Sequence, residues 1–360
     1  PPLSRLCKGK ERACIVVDDN TRPPLGKVIL PHLLPYLKES GIEKVIILIA
    51  LGLHTPLKEK KIEELLGRLP SWVTVRNHKP EETTEVARID GISVKLNSLF
   101  LNSPLKIIIG DVELHQIFGY GGGMKSLLPG ISDRESTTYL HSFLIHPDSG
   151  PGKFIKNPVQ KFLTRLYEKV VVDFSLQCVL NQEEKIVNVF SGTLKTSFIE
   201  GRKLVDRMDK IKVEEEFDML ILSPGGFPRD IDLYQTQKVI NMSFSALKKD
   251  GEMLIFSECS EGLGPRGFEE WVEKGLTGEE IERKVREKFS MGLHKLYLFF
   301  QGTQGRKVYL FSSLKESTVK SVFLHPVVTL REAKSLIAKS KKVGFVPYAT
   351  TTLLEKVNEN

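Results

Sequence analysis

The sequence predicts an α/β protein of two domains, and three observations carry that expectation. The chain has 360 residues, which at about 150 residues per domain suggests two. Short β-rich apolar runs alternate with amphipathic stretches, the pattern of parallel sheets covered on both sides by helices. A charged stretch, Gly201–Glu216, separates two such blocks, and a fresh strand-to-loop unit follows it at Phe217–Pro224. The expected division is an N-terminal domain over 1–208 and a C-terminal domain over 209–360, the charged stretch reading as an exposed or linking helix.

The strands expected in order are Ala13–Asp19, Lys44–Gly52, Trp72–Asn77, Leu105–Val112, Val170–Phe174, Phe217–Ser223, Gly251–Cys259, Lys307–Phe311 and Lys342–Val346. Between them, Leu25–Ser40 sets Val28, Leu30, Leu33, Leu34 and Leu37 mostly on one helical face. Leu57–Leu69 and Pro158–Lys169 read the same way, and Gly267–Ser290 reads as a charged surface helix. Gly41, Gly67 and Gly251 stand where helices are expected to stop.

Composition narrows the function classes. With 41% hydrophobic and 27% charged residues and four cysteines, the chain is neither disordered nor a disulfide scaffold. Cys7, Cys14, Cys178 and Cys259 form no CxxC pair and read as buried reduced thiols. A net charge of +7 mildly favours anionic small molecules and gives little ground for nucleic acid. No apolar run reaches the roughly 20 residues that span a bilayer. Pro1–Lys10 lacks a signal-peptide core. A cytoplasmic protein without membrane or nucleic-acid partners is expected, and the missing initiator Met suggests a trimmed start.

The richest local signal follows the Leu105–Val112 strand: Gly110-Asp111-Val112-Glu113-Leu114-His115, then Gly119-Tyr120-Gly121-Gly122-Gly123-Met124-Lys125. Ligands of open α/β sheets bind at the carboxyl ends of strands, and three glycines let backbone approach a ligand closely. A P-loop needs Gly-Lys-Ser/Thr; here Met124 separates Gly123 from Lys125. Lys125 is either a surface lysine or an amine desolvated into a nucleophile. His54 and His115 both follow strands, so they either serve structure or face one substrate as an acid/base pair; His141 lies sixteen residues past Lys125. No HExxH or GxSxG pattern is present. Asp18-Asp19-Asn20-Thr21-Arg22-Pro23 reads equally as a polar ligand edge and as ordinary turn chemistry.

Taken together, these motifs resemble the nickel-dependent lactate racemase family. The pieces that carry the resemblance are Asp19-Asn20-Thr21-Arg22-Pro23, Gly52-Leu53-His54, the ten-residue gap from His115 to Lys125, His141, Asn157-Pro158, and Gly225-Gly226 leading to Tyr234-Gln235-Thr236-Gln237-Lys238. The resemblance implies two Rossmann-like α/β domains with an interdomain active-site cleft. It implies a nickel-pincer nucleotide, a pyridinium-3-thioamide-5-thiocarboxylic acid mononucleotide, joined to Lys125 through a thioamide. It further implies His141 as the protein ligand to nickel, and Asp19, Asn20, Thr21 and Arg22 lining the cofactor site. His54 and His115 would be the acid/base pair, and Gln235 and Lys238 would bind substrate. The implied activity is an isomerase that racemises or epimerises a 2-hydroxy acid by hydride transfer, with cofactor-maturation enzymes as partners. Two features depart from the family pattern. Thr55 follows His54 where Arg is typical, and Gly121-Gly122-Gly123 stands where Ser-Gly-Gly is common. They point to the 2-hydroxy-acid class rather than to lactate itself. The family's usual N-terminal segment is expected to be missing. The competing reading is a non-catalytic binder of a phosphorylated small molecule through the glycine loop.

Overall fold

A computed structural model describes residues 1–357. Two compact units share the chain: residues 1–143 with 153–206, and residues 144–152 with those from 207 onward. Each is α/β with a mainly or wholly parallel sheet.

In the first unit six strands lie in the order Ile186–Gly192, Phe174–Leu180, Leu105–Asp111, Arg12–Asp18, Lys44–Ala50, Val73–Asn77. Only the Ile186–Gly192 edge runs antiparallel to its neighbour. The central Arg12–Asp18 strand buries Ala13 through Val17 without a break, as expected of a strand covered on both faces. The chain leaves that strand toward Lys44–Ala50 on one side and later returns as Leu105–Asp111 on the other. This reversal puts the loops after Asp18 and after Asp111 side by side at the carboxyl edge, where doubly wound sheets bind ligands.

The second unit carries five parallel strands in the order His325–Val327, Lys307–Phe311, Leu247–Phe256, Phe217–Leu222, Val343–Val346. A two-stranded parallel ladder joins Lys210–Val213 to Leu353–Lys356.

Several local expectations need correction. Val170–Phe174 is not a strand. Asp173 takes Lys106 N–H and the Lys10 amine on its carboxylate, which ends the connection, and the strand runs from Phe174 to Leu180. Gly251 stops no helix; it lies inside the Leu247–Phe256 strand. The charged stretch divides: the helix is Leu194–Asp209, and Lys210–Val213 is a strand. A hairpin of Thr83–Ile89 with Ile92–Asn97 turns on Asp90-Gly91, both at positive φ. That dipeptide is a strong hairpin signal, hidden here by the polar strands around it. All four cysteines are buried and free, and no described helix is long and apolar enough to cross a membrane.

Candidate active site

The first-unit site is built on the two adjacent strand ends. Asp19 is 4% exposed. Its Oδ1 accepts from Thr21 N–H and Thr21 hydroxyl, while its Oδ2 lies 2.6 Å from His54 Nδ1. Burial raises the Asp19 carboxyl, but the His54 hydrogen bond and charge and the Thr21 bonds outweigh it and hold it below its ordinary value. A carboxylate there accepts, so His54 Nδ1–H donates and the His54 lone pair stands on Nε2.

The turn that presents His54 is docked on the glycine loop. Gly52, at φ 55°, donates its N–H to Gly130 O at 2.9 Å, and Gly130 N–H reaches Lys125 O at 3.1 Å. Lys125 lies in the 3₁₀ turn Gly123–Ser126. Burial and the neighbouring Arg22 charge push its amine below the ordinary lysine value, against the pull of Asp18, Glu113 and Asp111. Such an amine is more nucleophilic than a surface lysine.

Beneath the loop, Arg22 Nε pairs with Glu113 Oε1 at 2.9 Å. Burial raises the carboxyls of Asp18 and Asp111, the latter well above its usual value. Asp18 Oδ2 and Ser126 Oγ have no hydrogen-bond partner among the described residues. Both would lie within 3.4 Å of a Cβ on Gly110, so the two atoms crowd one backbone position beside the Lys125 turn.

The glycine loop spends its amides inside the protein. Gly121 N–H donates to Glu113 O, and Gly123 N–H to Gln177 Oε1 at 2.6 Å. Gly122, at φ 75°, would put a Cβ 2.2 Å from Asp111 O. Only glycine fits there.

His115 is held in the opposite sense to His54. Its Nδ1 accepts the N–H groups of Ile117 and Phe118 at 3.2 and 3.1 Å, so the neutral ring carries its proton on Nε2. Asn157 and Gln160 clamp the same turn, donating to Ile117 O at 3.0 Å and Phe118 O at 2.7 Å. The Phe118 ring bridges His115 and His141, at centroid distances of 4.6 and 5.1 Å.

His141 sits on the helix Arg134–Ser142, capped by Asp133. Its Nδ1–H donates to Thr137 O at 2.8 Å, leaving the lone pair on Nε2. Burial lowers its pKa to about 4, and the nearby charges of Lys125 and His54 act in the same direction. A neutral imidazole whose far nitrogen is tied to a backbone carbonyl is the usual form of a metal-ligating histidine. Among the described residues no three His, Cys, Asp or Glu side chains gather to hold a metal.

The first unit thus brings together Asp19, Thr21, His54, Lys125 and His141, with Arg22 below and His115 joined through Phe118. Asn20 is exposed on the turn. Gln235 and Lys238 belong to the second unit, both half-buried on the short helices Leu233–Thr236 and Lys238–Ser243. Sequence reading assigned no role to Gln177, Asn157, Gln160 or the carboxylates Asp111 and Glu113, and took Asp18 only as part of a possible polar ligand edge. Asp111 and Glu113 stood inside the glycine motif itself, and Asn157-Pro158 is a helix-start signal. Gln177 lay in a strand read out of place.

A family model of the lactate racemase N-terminal domain matches residues 1–152, and one of the lactate racemase C-terminal domain matches residues 212–343. The chain belongs to the lactate racemase family. It is accordingly an isomerase. The lactate racemase of Thermoanaerobacterium thermosaccharolyticum is 27% identical over 371 residues, spanning 98% of this chain and 87% of that protein. That of Lactiplantibacillus plantarum is 26% identical over 274 residues, spanning 74% of this chain and 64% of that protein. The solved lactate racemase apoprotein from T. thermosaccharolyticum superposes with a TM-score of 0.91 at 26% identity, covering 99% of this chain and 89% of that one. A Thermotoga maritima crystal structure superposes with a TM-score of 0.75 at 17% identity, covering 99% and 96%, a likeness of fold alone.

Proposed function

We propose that this member of the lactate racemase family racemises or epimerises a lactate-like 2-hydroxy acid, using a nickel-pincer nucleotide carried on Lys125. The observation that carries the reading is the Asp19–His54 pair. It leaves an acceptor nitrogen on His54, in a unit where His141 feels the charges of both His54 and Lys125.

The residues fit such a cofactor on three counts. Lys125 has the depressed amine that covalent attachment needs. His141 offers one neutral nitrogen ligand, its other ring nitrogen tied to Thr137 O. The unsatisfied Asp18 and Ser126 atoms beside Gly110 supply polar contacts not yet used by the protein. When bound, the group supplies an electrophilic carbon that accepts a hydride and gives it back.

The chain's own part is proton handling and orientation. His54 Nε2 takes the hydroxyl proton as the C–H hydrogen leaves with its bonding pair, which avoids forming a carbanion, and gives the proton back when the C–H bond re-forms. Asp19 holds the ring in the acceptor tautomer and stabilises the imidazolium that results. His115 presents Nε2–H to the hydroxyl or carbonyl oxygen. Full proton exchange at His115 requires its 115–118 turn to release Nδ1. Arg22, with Asn20 and Thr21, lines the cofactor end. Gln235 and Lys238 hold the substrate carboxylate, Lys238 as the counter-charge. Thr55 in place of the family's usual Arg takes away one charge that could face the carboxylate, which points to the 2-hydroxy-acid class rather than to lactate itself.

The phosphate-binding alternative has no support from the loop. Its amides at Gly121 and Gly123 already have acceptors inside the protein.

The test is expression with and without the cofactor-maturation proteins, followed by intact mass, nickel content and chiral chromatography over a panel of 2-hydroxy acids. The expected result is racemisation by the loaded protein alone, with adduct and activity both lost in Lys125→Ala. A loaded protein that converts no acid on the panel, or an adduct that survives Lys125→Ala, contradicts the reading.

A further inference from the structure

The second unit buries a lysine that the proposed reaction does not use. Lys295, on the helix Leu293–Thr303, is 1% exposed. Its helix neighbours Leu293, Leu296, Tyr297, Leu298 and Phe299 are all buried. Placing an amine among them is unfavourable unless it is hydrogen-bonded, and an apolar side chain of the same length would pack as well. The amine contacts described for it gather on one short segment. Its Nζ donates to Gln237 Oε1 at 3.1 Å and lies 4.7 Å from the centre of the Tyr234 ring. It is also close enough to Asp232 to feel that charge. Asp232 in turn caps the segment, its Oδ1 accepting Gln235 N–H at 2.7 Å. Gln237 passes the contact on, donating Nε2–H to Asn241 Oδ1 at 2.5 Å. The neighbouring His294 ring meets Tyr234 edge-on at 6.1 Å.

Residues three apart on a helical turn share a face. Tyr234 and Gln237 therefore form one ridge, packed on Lys295, and Gln235 and Lys238 form the next ridge around, both half-buried. We infer that Lys295 is a positioning residue: by fixing Tyr234 and Gln237 it sets the direction in which Gln235 and Lys238 meet the substrate carboxylate. This rests on the substrate-binding role proposed for that pair. Burial and the Lys238 charge push the Lys295 amine well below the ordinary lysine value. The amine donates to Gln237 whether or not it carries a charge.

The experiment is steady-state kinetics of the cofactor-loaded protein on the acid from the panel that it turns over fastest. Lys295→Met preserves length and apolar packing and removes the donor. The expected result is a KM raised about tenfold with kcat within about threefold of wild type. In a double variant with Lys238→Ala, Lys295→Met should raise KM by less than it does in wild type, because part of its effect acts through Lys238. An unchanged KM in Lys295→Met, or effects that multiply in the double variant, overturns the inference. If Lys295→Met does not fold, Gln237→Leu breaks the same bond from the other end, with the same expected KM rise and the same overturning result.

A readout free of turnover is the side-chain amide NMR signals of Gln235 and Gln237 in the unloaded chain. They should shift and broaden in Lys295→Met, and identical signals overturn the inference. A wild-type protein that racemises nothing sinks the functional reading, while this spectral comparison still decides the role of Lys295.

Discussion

The turns that carry His54 and His115 both follow strands of one sheet, yet they hold their rings in opposite tautomers. At His54 a carboxylate sits behind Nδ1, and the outward nitrogen is a proton acceptor. At His115 two backbone N–H groups point at Nδ1, and the outward nitrogen is a donor. The difference in support is as large. Asp19 is a single side chain tied to Thr21, while the His115 turn is clamped by Asn157 and Gln160 from a separate helix. Two histidines alike in sequence position are therefore unlike in chemistry, because the second atom of each ring is governed by what stands behind it.

Replacing each ring in the loaded protein sharpens the contrast. His54→Gln should lower racemisation about 10³-fold, the full contribution of a positioned base, with the Lys125 adduct intact by mass. Asp19→Asn should cost about 10²-fold in kcat, since an amide can also donate and so no longer fixes the acceptor tautomer at Nε2. His115→Gln should cost less, about tenfold, because a glutamine N–H can replace a hydrogen-bond donor. Equal losses for His54→Gln and His115→Gln would break the comparison.

Loosening the clamp is a smaller change. Asn157→Ala removes a helix cap and the bond to Ile117 O, and should reduce stability by about 1–3 kcal/mol in denaturant titration. With the turn released, the chiral assay should show His115→Gln costing more in the Asn157→Ala background than in wild type. The smallest effect concerns pH. His141 is held neutral down to about 4, well below its unfolded value. Its contribution to stability is therefore complete above about pH 6.5 and is lost as pH falls toward 4. His141→Gln should flatten the fall of Tm across that window. An unchanged slope would remove the case for a buried, neutral ring.

Much of this arrangement was legible in the residues. The unbroken apolar strands marked both parallel sheets, and the His115-to-Lys125 spacing marked the loop. What escaped reading was set by contacts distant in the chain. Phe174–Leu180 was placed too early because Val170-Val171-Val172 is the more apolar run; the Asp173 anchor to Lys106 and Lys10 moves the strand start. Gln177, which ties down Gly123, was lost with it. The opposite tautomers of His54 and His115 are likewise invisible in spacing. They depend on Asp19, 35 residues from His54, and on a tight turn whose amides fold back on their own histidine.

The most direct measurement is nitrogen NMR of ¹⁵N-histidine-labelled, unloaded protein near pH 7, with His54 and His115 assigned by single replacement. The account predicts His54 protonated on Nδ1 with a bare Nε2, and His115 protonated on Nε2 with a bare Nδ1. Both rings in the same tautomer would contradict it.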